Sequence, residues 1–117
     1  MKLLHIDASP RGERSRSRTV ADAFLQALAG CRPDARVTTL DLWQEDLPEL
    51  GGGMIEGRYD LIMGNPVPDG IAANWTAVRE VAERFVAHDA YLVSTPMWNF
   101  GVPYRLKHYV DVVTQPG

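Results

Sequence analysis

The sequence predicts an α/β domain built on a parallel sheet, and two patterns predict it. Short runs of apolar and β-branched residues at 2–7, 35–43 and 90–96 have the length and composition of strands. The segments that follow them switch to apolar residues three and four apart, the period of a helix packed on one face. Strand, helix, strand, helix, strand, helix is the order of βαβ units, which join parallel strands by right-handed crossovers.

The first run, "KLLHID", reads as a short buried strand and gives way to "ASPRGERSRS", a stretch of small, charged and turn-forming residues. Val20, Phe24, Leu25 and Leu28 then mark the inner face of a first helix, with Gly30 where a left-handed C-terminal cap is expected. "ARVTTLDLW" makes the second strand. The Gly- and Pro-rich stretch 44–70 has room for one short helix at about 54–63. Ile71, Trp75, Val78, Ala82, Phe85 and Val86 trace another helix, opening beside Asp69 as its N-cap. "AYLVSTP" is the third strand, and Leu106, Tyr109, Val110 and Val113 form the inner face of the last helix, with Pro103 suited to its first turn.

With 117 residues, 45% of them hydrophobic, the chain is expected to form one domain, 1–117. A formal charge of −3 gives no general attraction to nucleic acid or anionic lipid. Cys31 stands alone, so no internal disulfide is expected and a reducing compartment is the simpler reading. No signal-peptide core and no membrane-spanning run is present, so the expected location is cytoplasmic. His5 reads as a strand residue, His88 as a helix terminus and His108 as a polar-face or interface residue. None is expected to be catalytic, and no metal-ligand spacing is seen.

Ligands of doubly wound sheets lie beyond the carboxyl ends of the strands where the winding reverses, between strands one and three in a 2-1-3-4-5 sheet. Both unusual loops leave from those two strands. In the first, Ser9, Ser15 and Ser17 offer hydroxyls and Arg16 a cationic fork at a helix start, a combination suited to a phosphate monoester. It lacks both the GxGxxG spacing and the GK[ST] ending of other phosphate loops. The same residues also suit a solvated loop with serine helix caps, or an Arg-Ser segment open to phosphorylation or nucleic acid. In the second loop, Pro96, Met97, Trp98, Asn99 and Phe100 combine apolar mass with amide capacity, which an isoalloxazine ring would use at its two ends. Trp98 and Phe100 equally suit plugging the sheet against the last helix.

Together, "SPRGERSRSR" and "PMWNFGVPYRLKHYVD" resemble the FMN-dependent NADH:quinone oxidoreductase and azoreductase family, which has a flavodoxin-like fold. The resemblance implies that Ser9, Ser15, Arg16 and Ser17 hold the FMN phosphate and that Pro96, Met97, Trp98, Asn99 and Phe100 line the flavin. It further implies a homodimer that moves two electrons from NADH or NADPH to quinones or azo compounds in a ping-pong cycle. Many relatives carry Tyr at the position of Trp98. Members continue past "TQPG" into two more strands, a Gly-rich loop and a final helix, so the chain resembles their N-terminal part: an incomplete, three-stranded portion of the five-stranded fold. At roughly 30 residues per βα unit, five strands need about 150 residues or more. Two other functions fit the residues: an FMN electron carrier of flavodoxin type, and a phosphate- or nucleotide-binding module without flavin.

Overall fold

The structure, a computed structural model, describes residues 1–115. In chain order it contains β1 (Lys2–Asp7), α1 (Arg16–Cys31), β2 (Arg36–Asp41), α2 (Gly52–Met63), α3 (Asp69–Val86), β3 (Ala90–Ser94) and α4 (Tyr104–Val113), with a 3-10 turn at Gly12–Arg14 before α1. The three strands form one parallel sheet in the order β2-β1-β3, as expected for the start of a 2-1-3-4-5 arrangement. Leu4 faces Thr38 on one side and Tyr91 on the other, and Asp7 faces Asp41 and Ser94. The sheet is therefore in register up to the carboxyl ends where the two loops leave.

Alternation along β1 sends its side chains to opposite faces. Leu4, Ile6 and Ala8 join Leu40, Leu42, Leu47, Leu106 and Tyr109 in the main core, against which Val81, Phe85 and Val113 pack. This is the face covered by α3 and α4. Complete burial of a leucine such as Leu4 or Leu42 stabilises the fold by about 1.5–3 kcal/mol. A second cluster of Met54, Val78 and Val112 seats α2 against α3 and α4. Gly57 lets α2 approach α3 closely, since a Cβ there would stand 2.3 Å from Ile71 Cγ2. On the other face of β1, His5 and Asp7 lie toward α1 and are also buried.

The structure corrects several expectations. Gly30 lies inside α1, which runs on to Cys31, with Arg32 at its C-cap. Asp69 is the first helical residue of α3, and the N-cap is Pro68, whose fixed φ of −56° starts the helix without a side-chain bond. On α4 the buried residues are Leu106, Tyr109 and Val112, whereas Val110 is 43% exposed. Pro103 is the N-cap of α4 and its ring is buried. Val20 and Phe24 stand largely exposed, because α1 runs beside the edge strand β3 and no described element covers that side. Together with Leu92 and Val93 they line an open apolar groove. His108 is engaged within the chain: its Nε2 donates to Pro48 O at 2.8 Å and pins the β2–α2 connection. Arg105 secures the same connection by donating to Leu42 O at 2.7 Å and to Glu45 O. Among the described residues no helix is long and apolar enough to cross a membrane, and no group of His, Cys, Asp and Glu is placed to hold a metal ion.

Candidate functional site

The carboxyl ends of β1 and β3 are tied by the Ala8 N–H, which donates to Ser94 O at 2.8 Å. That bond brings the two unusual loops side by side. In the first loop Ser9 and Ser15 are buried, 2% and 3% exposed, and Ser17 is half-buried. Ser15 is the N-cap of α1, its Oγ accepting from the Arg18 N–H at 3.1 Å and lying 3.0 Å from Ser17 Oγ. Ser9 Oγ accepts from the Arg11 N–H at 3.3 Å. Gly12, at φ 58°, supplies the left-handed step that turns the chain into the helix. Arg16 is the first residue of α1 and is exposed. The structure thus gathers two hydroxyls, Ser15 and Ser17, with Arg16 at the positive end of a 16-residue helix, and sets Ser9 at the strand exit.

The second loop is of a different kind. Trp98 and Gly101 exchange both backbone hydrogen bonds at 2.9 Å, closing a two-residue hairpin turn. Its central residues, Asn99 at φ 51° and Phe100 at φ 63°, are both left-handed. A primed turn requires this geometry, and Asn-Gly is its usual sequence. Phenylalanine in that region costs about 1–2 kcal/mol. Packing does not offset the cost, because Phe100 is 96% exposed. Met97 is also exposed, at 72%, while Pro96 is half-buried and its carbonyl accepts from Thr95 Oγ1. Phe100 therefore does not plug the sheet against α4.

Two residues that sequence reasoning missed hold the site together. Trp43, read as the end of a strand, lies just beyond β2, and its Nε1 donates to Ala8 O at 2.8 Å. Its ring meets Trp98 at 6.0 Å and the edge of Tyr104 at 5.4 Å, joining the ends of all three strands. A tryptophan just past the carboxyl end of a strand was the available signal. Asp7, 1% exposed, accepts from the Ser9 N–H at 3.1 Å and lies 3.8 Å from Arg18 Nε. Its signal was an acid closing an apolar strand, where burial requires partners. Beside it, burial holds the His5 imidazole below its ordinary pKa; Asp7 and Asp22 oppose this and Arg18 adds to it.

The arrangement can receive an anion at the first loop and a flat, largely apolar body against the second. Comparison with known proteins places the chain in a family. Residues 1–117 match the family described as having the flavodoxin-like fold. FMN-dependent NADH:quinone oxidoreductase of Desulfotalea psychrophila is 41% identical over 116 residues, which are 99% of this chain and 55% of that protein. FMN-dependent NADH:quinone oxidoreductase 2 of Pseudomonas syringae pv. tomato is 44% identical over 117 residues, all of this chain and 56% of that protein. Among solved structures, azoreductase from Bacillus anthracis str. Sterne superposes with a TM-score of 0.87 at 28% identity, covering all of this chain and 57% of that one. The chain thus spans a little over half the length of the curated relatives it matches.

Proposed function

Because the chain belongs to the flavodoxin-like fold family, we propose that the joined ends of β1 and β3 form the phosphate and ring-facing walls of an FMN site. The proposed activity is electron transfer from NADH or NADPH to quinones or azo compounds, in a two-electron ping-pong cycle carried out by a homodimer in the cytoplasm. The names of the relatives above support FMN, NADH and a quinone or azo acceptor, and the chemistry of the two loops supports the flavin. Bound FMN would supply the redox chemistry by accepting hydride from the nicotinamide and passing the electron pair to the acceptor.

The protein's own residues bind and orient. Ser9, Ser15, Ser17 and Arg16 would hold the phosphate by hydroxyls, by the backbone N–H groups at the start of α1 and by one charge. Pro96, Met97, Trp98, Asn99 and Phe100 would face the ring, with Trp43 bracing Trp98 from behind. No acid–base pair is needed for these tasks, and no catalytic residue is assigned. The dimer reading is supported by Tyr59, Leu61, Ile62 and Met63 at the end of α2, all exposed and apolar, a surface that a second copy of the chain would cover.

One observation carries the FMN reading: Phe100 is held in a strained left-handed conformation and yet is almost wholly exposed. Strain kept at a loop tip without packing in return is the mark of a residue set for a ligand. The test is equilibrium titration of the purified chain with FMN and with riboflavin, extended to millimolar concentrations. Binding of both, with FMN the tighter, is expected. Binding of inorganic phosphate but of neither flavin would reject the reading in favour of a phosphate module.

A further inference from the structure

A polar chain lies beneath the first loop, with Asp7, Ser94 and His5 buried and Thr39 at its exposed end, and the direction of its hydrogen bonds follows by elimination. The Asp7 carboxylate only accepts, so Ser94 Oγ donates to Asp7 Oδ1, at 3.4 Å, and accepts from His5 Nε2, at 2.8 Å. The His5 proton is therefore on Nε2, and Nδ1 accepts from Thr39 Oγ1 at 3.4 Å. Thr39, His5 and Ser94 belong to β2, β1 and β3. One directed chain crosses the whole sheet and ends on Asp7.

Asp7 passes that order outward. The same Oδ1 accepts the Ser9 N–H at 3.1 Å, and Oδ2 faces Arg18 Nε, in the first turn of α1, at 3.8 Å. A buried carboxylate under a loop that receives an anion is electrostatically adverse, because like charges repel strongly where water is excluded. What Asp7 supplies in return is position. We propose that Asp7, oriented by the Ser94–His5–Thr39 chain, is a positioning residue that holds Ser9 and the start of α1 in the shape that receives phosphate. The inference rests on the FMN reading above.

FMN and riboflavin share ring and ribityl chain and differ in the phosphate, so the ratio of their affinities isolates the first loop from the second. The full chain is titrated with both flavins as wild type, Asp7→Ala, Asp7→Asn and Ser94→Ala, with folding checked by circular dichroism. In Asp7→Ala the preference for FMN should fall by about tenfold, as expected for losing the ordered donors of a charge-assisted contact, while riboflavin affinity stays constant. Asp7→Asn keeps an oxygen to accept the Ser9 N–H and should restore part of the preference. Ser94→Ala should lower it less, and the Nε2-protonated form of His5, read by nitrogen NMR, should lose its dominance. If Asp7→Ala does not fold, Ser94→Ala decides. Wild type that prefers FMN, with folded variants showing the same preference, overturns the positioning role alone. Wild type with no preference for FMN overturns the FMN reading and this role with it.

Discussion

The loops after β1 and β3 leave neighbouring strand ends, yet they are built on opposite plans. In the first, Ser9, Ser15 and Asp7 are buried and their polar atoms are engaged with the backbone and with each other. In the second, Met97 and Phe100 project into solvent from a turn whose backbone is strained. The difference follows from what each would bind. An anion is held by donors whose positions are fixed beforehand, so the loop is ordered by its own hydrogen bonds. A flat apolar ring is held by area, so side chains can stand open until it covers them.

The largest effect that would break this contrast is on stability. Ser15→Ala removes the N-cap of α1 at a buried site and should destabilise the fold by about 1–2 kcal/mol, measured by urea denaturation. A loss near zero would mean that the first loop is not internally organised. Phe100→Gly should act in the opposite sense: glycine relieves the left-handed strain, so stability should hold or rise by up to about 1 kcal/mol. Riboflavin and FMN should both weaken by a similar amount in this variant. A lower melting temperature with unchanged flavin affinity would return Phe100 to a structural role.

His5, buried under the first loop, gives a pH signature. The folded-state pKa of His5 is lowered, chiefly by burial. The unfolded chain therefore binds the proton first, and stability is lost as pH falls from about 6.5, the ordinary histidine value. Wild type should lose more stability between pH 7.5 and pH 5.5 than His5→Gln, which has no imidazole to charge. Equal losses would show that His5 is free to protonate in place. The smallest expected effect on the fold belongs to Arg16→Ala, within about 0.5 kcal/mol because the side chain is exposed. Its FMN affinity should nevertheless fall severalfold, and more at low salt than at high.

Much of this was legible in the sequence, and the gaps have physical causes. β1 and the helical periods were readable because each element buries one face. Periodicity alone does not say whether anything covers that face, which is why Val20 and Phe24 read as core and stand exposed beside the edge strand. The left-handed turn was hidden because its second central residue is Phe100 and not glycine, the usual marker. Trp43 was absorbed into the second strand because apolar composition does not show where pairing stops; β2 ends at Asp41, and Trp43 folds across the strand ends. The two loops themselves were visible as departures from ordinary turn composition, and their adjacency followed from the strand order.

The aromatic contact behind the second loop also makes the protein its own optical reporter. Of the three tryptophans, Trp43 and Trp98 lie 6.0 Å apart at the candidate site, while Trp75, in α3, sits under Arg58 of α2 with its indole N–H on Met54 O. Emission from the first pair should be quenched by any flat chromophore that settles on the loop, and Trp75 supplies an internal standard. Replacing Trp75 with Phe would leave a chain whose tryptophan emission arises at the site alone.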